Sequence, residues 1–186
     1  MSSIPSPISA ERRNPSSPGA ETRITHRVAR VVVKPTRNGS GIFASADFAR
    51  GRVIAKIAGR VVHHRVLWTR RGSFAANCIR FGPNTYLDPS SEAGRYLNHS
   101  CEPNAAIRKR SNQLFLVAAE RIQKGTQIVI DYSTTLGDDD IWTMRCNCGT
   151  RSCRKTIRRF GTLPAALRLE YLSAGLVPHY IVETLE

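Results

Sequence analysis

Three cysteines, Cys146, Cys148 and Cys153, fall within eight residues as a C-x-C-x4-C run, and they constrain the fold more than any other feature of the chain. Thiolates at that density suit a tetrahedral Zn²⁺, which needs four ligands when the site is structural. Three are local, so the fourth must come from elsewhere. Of the two remaining cysteines, Cys78 lies inside an apolar strand pattern and reads as a small core residue. Cys101, in Asn98-His99-Ser100-Cys101, is the natural candidate. An extracellular disulfide framework would more often show an even count spread along the chain, so the cluster reads as a metal site in a reducing compartment.

The rest of the chain is a succession of short β-rich runs. Residues 1–26 hold Pro5, Pro7, Pro15 and Pro18 among serines and show no period, so a disordered tail is expected there. Met1–Gly19 shows no basic segment followed by an apolar one, so no Sec-type signal peptide is expected. Order is expected from Val28. The run Val28–Val33 is expected to end at Pro35 and at a turn over Asn38-Gly39-Ser40-Gly41. Val53–Ala58, Val61-Val62, Cys78–Phe81, Thr85–Leu87, Leu114–Ala118 and Gln127–Tyr132 are further strands, bounded by Gly, Pro or Asn. Only Leu163–Leu172 has helical spacing, with Pro164 in a first turn and Gly175 past the end. The fold class is therefore mainly β with a short C-terminal helix. No apolar run approaches the ~20 residues that span a bilayer.

Two polar segments carry possible chemistry. Gly94 to Asn104 packs Asn98, His99, Ser100 and Asn104 into a small space with Pro103 stiffening its exit, which is either a functional loop or a surface turn. Asp131-Tyr132 follows the apolar Ile128-Val129-Ile130. A tyrosine there either orients an amine through its hydroxyl or is a half-buried ring with a wet tip.

Taken together over residues 28–158, these segments resemble the SET-domain protein lysine methyltransferases. Asn38 to Ala44 is similar to the family's G-x-G cofactor turn, Arg95 to Asn104 to its R-F-x-N-H-S-C-x-P-N signature, and Gly125 to Tyr132 to G-E-E-L-x-x-D-Y. The cysteine run resembles the post-SET module, whose zinc takes its fourth ligand from the cysteine of N-H-S-C. The resemblance implies a SET domain over 28–133, a zinc module over 142–158 and a helical extension over 159–186. It also implies a β-clip-like fold of several small sheets with a pseudoknot. S-adenosylmethionine would be the cofactor and one Zn²⁺ a structural ion held by Cys101, Cys146, Cys148 and Cys153. Ser40, Gly41, Ile42, Arg95, Asn98, His99 and Tyr132 would bind the cofactor, with Tyr132 catalytic. The family's E-Y-x-G-E segment stands here as Lys56-Ile57-Ala58-Gly59-Arg60, and the aromatic position two before the catalytic tyrosine is Ile130. Ile57 and Ile130 would thus line an aliphatic substrate channel, compatible with multiple methylation, with a substrate other than a histone tail, or with a weakened enzyme.

The implied substrate is a protein lysine, of a histone or histone-like protein. A net charge of +14 adds salt-sensitive attraction to nucleic acid. From Arg145 to Arg159 there are six basic residues and no acidic one, either a nucleic-acid contact or a solvated face. Asp138-Asp139-Asp140 either draws a basic peptide to the channel or is a solvated loop. The alternative to an enzyme is a zinc-stabilised SET-like binding module for nucleic acid or protein. A purely structural zinc protein would leave the Gly turn and Asn98-His99 unexplained. No membrane contact is expected, and the compartment expected is intracellular, cytoplasmic or nuclear/nucleoid-associated, with leaderless export an alternative that no feature supports.

Overall fold

The structure, a computed structural model, describes residues 30–69, 77–90 and 92–185. The expected disordered tail over 1–26 and the strand start at Val28 lie outside them. Those described form three two-stranded and two three-stranded sheets, with little helix. No described helix is long and apolar enough to cross a membrane.

The first sheet is the hairpin β1 (Val31–Thr36) and β2 (Gly39–Ala44). Contrary to the sequence reading, Pro35 does not end β1, and Gly39-Ser40-Gly41 belongs to β2. Pro35 pairs with Ser40, and Arg37-Asn38 make the tip. A proline is tolerated because a two-stranded sheet consists of edges, where its missing N–H breaks no ladder. Gly39 takes φ +92°, a conformation that L side chains rarely adopt.

Behind the hairpin lie β3 (Val53–Ile57), β8 (Ala105–Arg110) and β9 (Gln113–Ala118), ordered β3-β9-β8. Their inward residues Ile54, Ile57, Ile107, Leu114 and Leu116 form the centre of the core with Ile122, Ile128 and Ile130. Each such side chain contributes roughly 1.5–3 kcal/mol when fully buried. A second three-stranded sheet joins β4 (Arg60–His63), β5 (Ile79–Gly82) and β6 (Thr85–Asp88) in the order β4-β6-β5. A helix that the apolar period did not announce, α1 (His64–Thr69), leads out of β4.

Two very short pairs position the polar segments. β7 (Asn98–His99) runs parallel to β10 (Val129–Ile130), so the Asn98-His99 segment, read as a loop, is partly strand. Ser100 N–H continues the pairing onto the Ile130 carbonyl at 2.9 Å. In the cysteine segment β11 (Met144–Arg145) pairs antiparallel with β12 (Thr156–Ile157). The chain ends in α2 (Ala165–Ser173), with Pro164 as N-cap and Gly175 at φ +65° beyond it, and α3 (His179–Val182). Phe160, Leu163, Tyr171, Tyr180 and Ile181 from this region are buried in the same core as Ile54 and Ile130. The segment expected as an extension is therefore integral to the globule.

Candidate active site and zinc centre

β7 and β10 carry the signature residues to one place. Tyr132 opens a 3₁₀ turn just after β10, and its hydroxyl donates to the Leu97 carbonyl at 2.5 Å, one residue before β7. Burial pushes its phenol up to about 12, so the group stays protonated over the working range. The Tyr132 ring lies 5.3 Å from the His99 ring and 6.3 Å from that of Trp142, centroid to centroid.

A cavity of about 410 Å³ opens beside Tyr132, walled there by Leu97, Ile130, Leu136 and Trp142. Its lining also includes the polar His64, Asn77, Asn84, Tyr86, Asp139 and Asp140. Ile130 thus borders the cavity. Ile57, expected beside it, is buried in the core instead, where a Cβ on Gly94 would sit 3.0 Å from its Cγ2. Of the acidic run, Asp139 and Asp140 line the cavity and are paired with one buried arginine, while the Asp139 side chain stays 62% exposed. Arg80, 2% exposed, donates to Asp139 at 2.5 and 3.0 Å and to Asp140 at 2.9 Å. Asp140 also accepts from the Tyr86 hydroxyl, and Asp138 pairs with Arg159.

On the hairpin side, Asn98 Nδ2 donates to the Ser40 carbonyl at 3.0 Å. A Cβ on Gly41 would lie 2.6 Å from Gln127 Nε2 and 2.9 Å from Asn98 Nδ2, so those side chains would have to shift to admit one. Ser40 is exposed, while Ile42 is buried in the core. Arg95 lies over the Tyr96 ring and reaches the cavity wall. Of the seven residues expected at the cofactor, Arg95 and Tyr132 line the cavity; Ser40, Gly41, Asn98 and His99 cluster between hairpin and zinc loop.

His99 is buried and both its ring nitrogens are engaged. Nδ1 accepts the Tyr132 N–H at 3.2 Å, which places the neutral ring's proton on Nε2, 3.4 Å from Cys101 Sγ. Burial pushes its pKa down to about 4, with Asp131 opposing and Arg154 reinforcing, so the ring is neutral and its 3.5 Å approach to Asp131 is no ion pair.

The ligand atoms of His99, Cys101, Cys146 and Cys148 lie within 4.8 Å of one another. Cys146 Sγ is 3.8 Å from Cys101 Sγ and 3.7 Å from Cys153 Sγ. A tetrahedron with Zn–S bonds of ~2.3 Å has S···S edges of ~3.8 Å, so these spacings fit zinc. Two candidates compete for the fourth place, His99 and Cys153. A nitrogen that carries a proton cannot ligate, so the tautomer favours Cys153, with His99 donating to the Cys101 sulfur. Backbone N–H groups of Arg154 and Cys148 point at Cys101 and Cys146 Sγ, each at 3.4 Å, as thiolates require. Burial pushes the Cys146 thiol up, whereas Cys148, against the opposing effect of burial, is drawn down to about 6 by hydrogen bonds, that of the Thr150 hydroxyl foremost.

The sequence reading missed the residues that fasten this loop. Asp131, 1% exposed, accepts from Arg154 at 2.6 and 2.8 Å, from Tyr171 Oη at 3.0 Å and from Ser133 N–H at 3.0 Å. It thereby joins β10, the zinc loop and α2. Arg37, at the hairpin tip, donates to the Asn147 carbonyl at 2.5 Å and packs over Gly149. Glu102 accepts from Ser152 N–H and Oγ at 3.1 and 2.7 Å. The only sequence signal for these clasps was a charge beside each motif.

Residues 39–133 match the SET domain family. The chain belongs to that family. Relatives include an H3 lysine-36 specific histone-lysine N-methyltransferase of Mycosarcoma maydis, 28% identical over 68% of this chain and 14% of its own length. Another is the histone-lysine N-methyltransferase ASHH3 of Arabidopsis thaliana, 27% identical over 83% of this chain and 44% of its own. The chain thus spans less than half of either relative. Among solved structures, Arabidopsis thaliana SUVH6 in complex with SAM superposes with a TM-score of 0.56 at 19% identity, covering 68% of this chain and 32% of that one. That likeness shows the fold, a SET domain of small sheets. Within that fold the parallel β7–β10 pair is followed by Cys101, whose sulfur lies 3.8 Å from that of Cys146 in the zinc loop.

Proposed function

We propose that this SET domain transfers a methyl group from S-adenosylmethionine to a lysine side-chain amine of a protein, a histone or histone-like protein. The observation that carries the proposal is the Tyr132 hydroxyl fixed on the Leu97 carbonyl at the wall of a cavity that Leu97, Ile130, Leu136 and Trp142 also line, with Asn98, next to Leu97, bonded to Ser40.

S-adenosylmethionine would supply an electrophilic methyl group. The donor set suits it: the exposed Ser40, the Asn98 amide and the Arg95 guanidinium offer hydrogen bonds, and the guanidinium suits a carboxylate. The His99 ring has no nitrogen to spare, so its part would fall to its backbone. The amine must react in its neutral form. Leu97, Ile130, Leu136 and Trp142 give it apolar walls, which disfavour the ammonium by desolvation. Tyr132 acts as a fixed dipole rather than a base. Its proton is held by Leu97, leaving the oxygen lone pairs for weak C–H···O and N–H···O contacts that orient the methyl and the amine. Cys101, Cys146, Cys148 and Cys153 would hold one structural zinc that keeps Trp142 and the following hairpin against the cavity. An intracellular, reducing setting is proposed because such thiolates must remain unpaired.

The alternative, a binding module without turnover, is separated by one experiment. Wild type and Tyr132→Phe are each given labelled S-adenosylmethionine and core histones, with cofactor binding measured in parallel. Label on lysine in wild type, falling on the order of 100-fold in the variant while cofactor still binds, supports the proposal. Cofactor binding without transfer to any substrate supports the module.

A further inference from the structure

The six cations of Arg145–Arg159 divide sharply once placed. Arg154 is held by Asp131 and Arg159 by Asp138. Arg151 lies near enough to Glu102 to help lower that carboxyl. Arg145, Lys155 and Arg158 are exposed and form no ion pair among the described residues. They sit on the β11–β12 hairpin. Arg145 pairs with Thr156 while Met144 pairs with Ile157, which is 0% exposed. Side chains alternate along a strand, so the Ile157 face turns inward and Arg145, Thr156 and Arg158 share the outward one. Lys155, at φ +65°, stands beside them where its carbonyl accepts the Cys146 N–H at 2.8 Å. No acidic residue occurs from Ile141 to Arg159, and the neighbouring Asp131, Asp138 and Glu102 are already engaged. A rigid ribbon thus presents three cations outward with nothing opposite them.

We propose that this outward face of the zinc hairpin, carrying Arg145, Lys155 and Arg158, docks on the phosphate backbone of duplex nucleic acid. Three such cations fall together on one hairpin, whereas others, such as Arg121 and Arg60, stand beside acids. The contact is to phosphates, so it carries no sequence preference and falls steeply with salt. It does not depend on methyl transfer. The hairpin follows directly on Ile141 and Trp142 of the cavity wall, so a protein lying on the same duplex would have its lysines near the cavity.

The test is fluorescence anisotropy of a labelled duplex DNA of about 30 base pairs, titrated with the full chain between about 50 and 200 mM salt. Each phosphate contact contributes about 0.9 to the slope of log affinity against log salt, so Arg145→Gln/Lys155→Asn/Arg158→Gln is expected to flatten it by about 2.7. A control with the same loss of charge, Arg50→Gln/Arg52→Gln/Arg110→Gln, is expected to flatten it by less than about 1. Arg145→Lys/Arg158→Lys should keep the wild-type slope. Zinc content is measured throughout; if the triple variant loses zinc, the single Arg145→Gln and Arg158→Gln variants carry the test at about 0.9 each. Equal flattening by hairpin and control variants would mean that only overall charge acts, and would overturn the proposal. So would an unchanged slope in a zinc-loaded hairpin variant.

Discussion

Asp131→Ala is the substitution with the largest expected consequence outside the ligands themselves. The carboxylate is 1% exposed and serves three segments at once: Arg154 of the zinc loop at 2.6 Å, Tyr171 of α2 at 3.0 Å and the Ser133 N–H at 3.0 Å. Removing it leaves a partly buried guanidinium without its counter-charge, and Arg154 follows directly on Cys153. Breaking one side of a buried ion pair costs about 3–5 kcal/mol. For a chain of this size each kcal/mol moves Tm by about 2–4 °C, so a fall of about 6–20 °C is expected. Urea denaturation of zinc-loaded protein measures the cost directly, with an unchanged slope showing that the unfolded state is not altered. The companion Arg154→Met removes the stranded charge. The double variant should therefore be less destabilised than the sum of the two, by more than about 1 kcal/mol. A loss below about 1 kcal/mol for Asp131→Ala would place the pair among ordinary surface salt bridges and refute the reasoning.

Three further outcomes follow from other parts of the site. Arg37→Ala removes one charge-assisted hydrogen bond to the Asn147 carbonyl, so the zinc loop should open at a cost of about 1–2 kcal/mol, read as faster zinc release to a chromogenic chelator with core stability unchanged. Tyr132 is protonated up to about 12, so raising the pH from 8 to about 10 should increase transfer as the lysine amine deprotonates, without a tyrosine limb; loss of activity over that range would show the phenol ionising in the site. Its raised pKa contributes stability that is present below the ordinary value near 10 and lost as pH rises through about 12. Zinc removal should abolish the β11–β12 ordering and expose Trp142, and a fluorescence spectrum unmoved by chelation would contradict that.

What was legible in the sequence was whatever rests on local pattern. Leu114 to Ala118 alternates and is a strand; Pro164 and Gly175 bracket a helix; three cysteines in eight residues meet a fourth from Asn-His-Ser-Cys. What was not legible depends on tertiary pairing. Pro35 was read as a stop because the sequence does not disclose that its strand has a partner on one side only. Asn98-His99 was read as a loop because a two-residue parallel strand has no period of its own. Ile57 was assigned to the channel by its position in a motif, but its side chain is taken up by the core. The partner of Asp139 and Asp140 was not legible because Arg80 comes from a strand nearly sixty residues earlier. The roles of Asp131 and Arg37 escaped for the same reason: a single charge in a sequence says nothing about which distant group it will meet.

The central claim is that Tyr132 and the cavity beside it serve methyl transfer to lysine. Incubation of the zinc-loaded chain with labelled S-adenosylmethionine and a panel of core histones and bacterial histone-like proteins, followed by tandem mass spectrometry, tests it most directly. The account predicts methyl groups on lysine in at least one substrate and their loss with Tyr132→Phe. Cofactor binding with every lysine unmodified, or modification that persists undiminished in Tyr132→Phe, would contradict it.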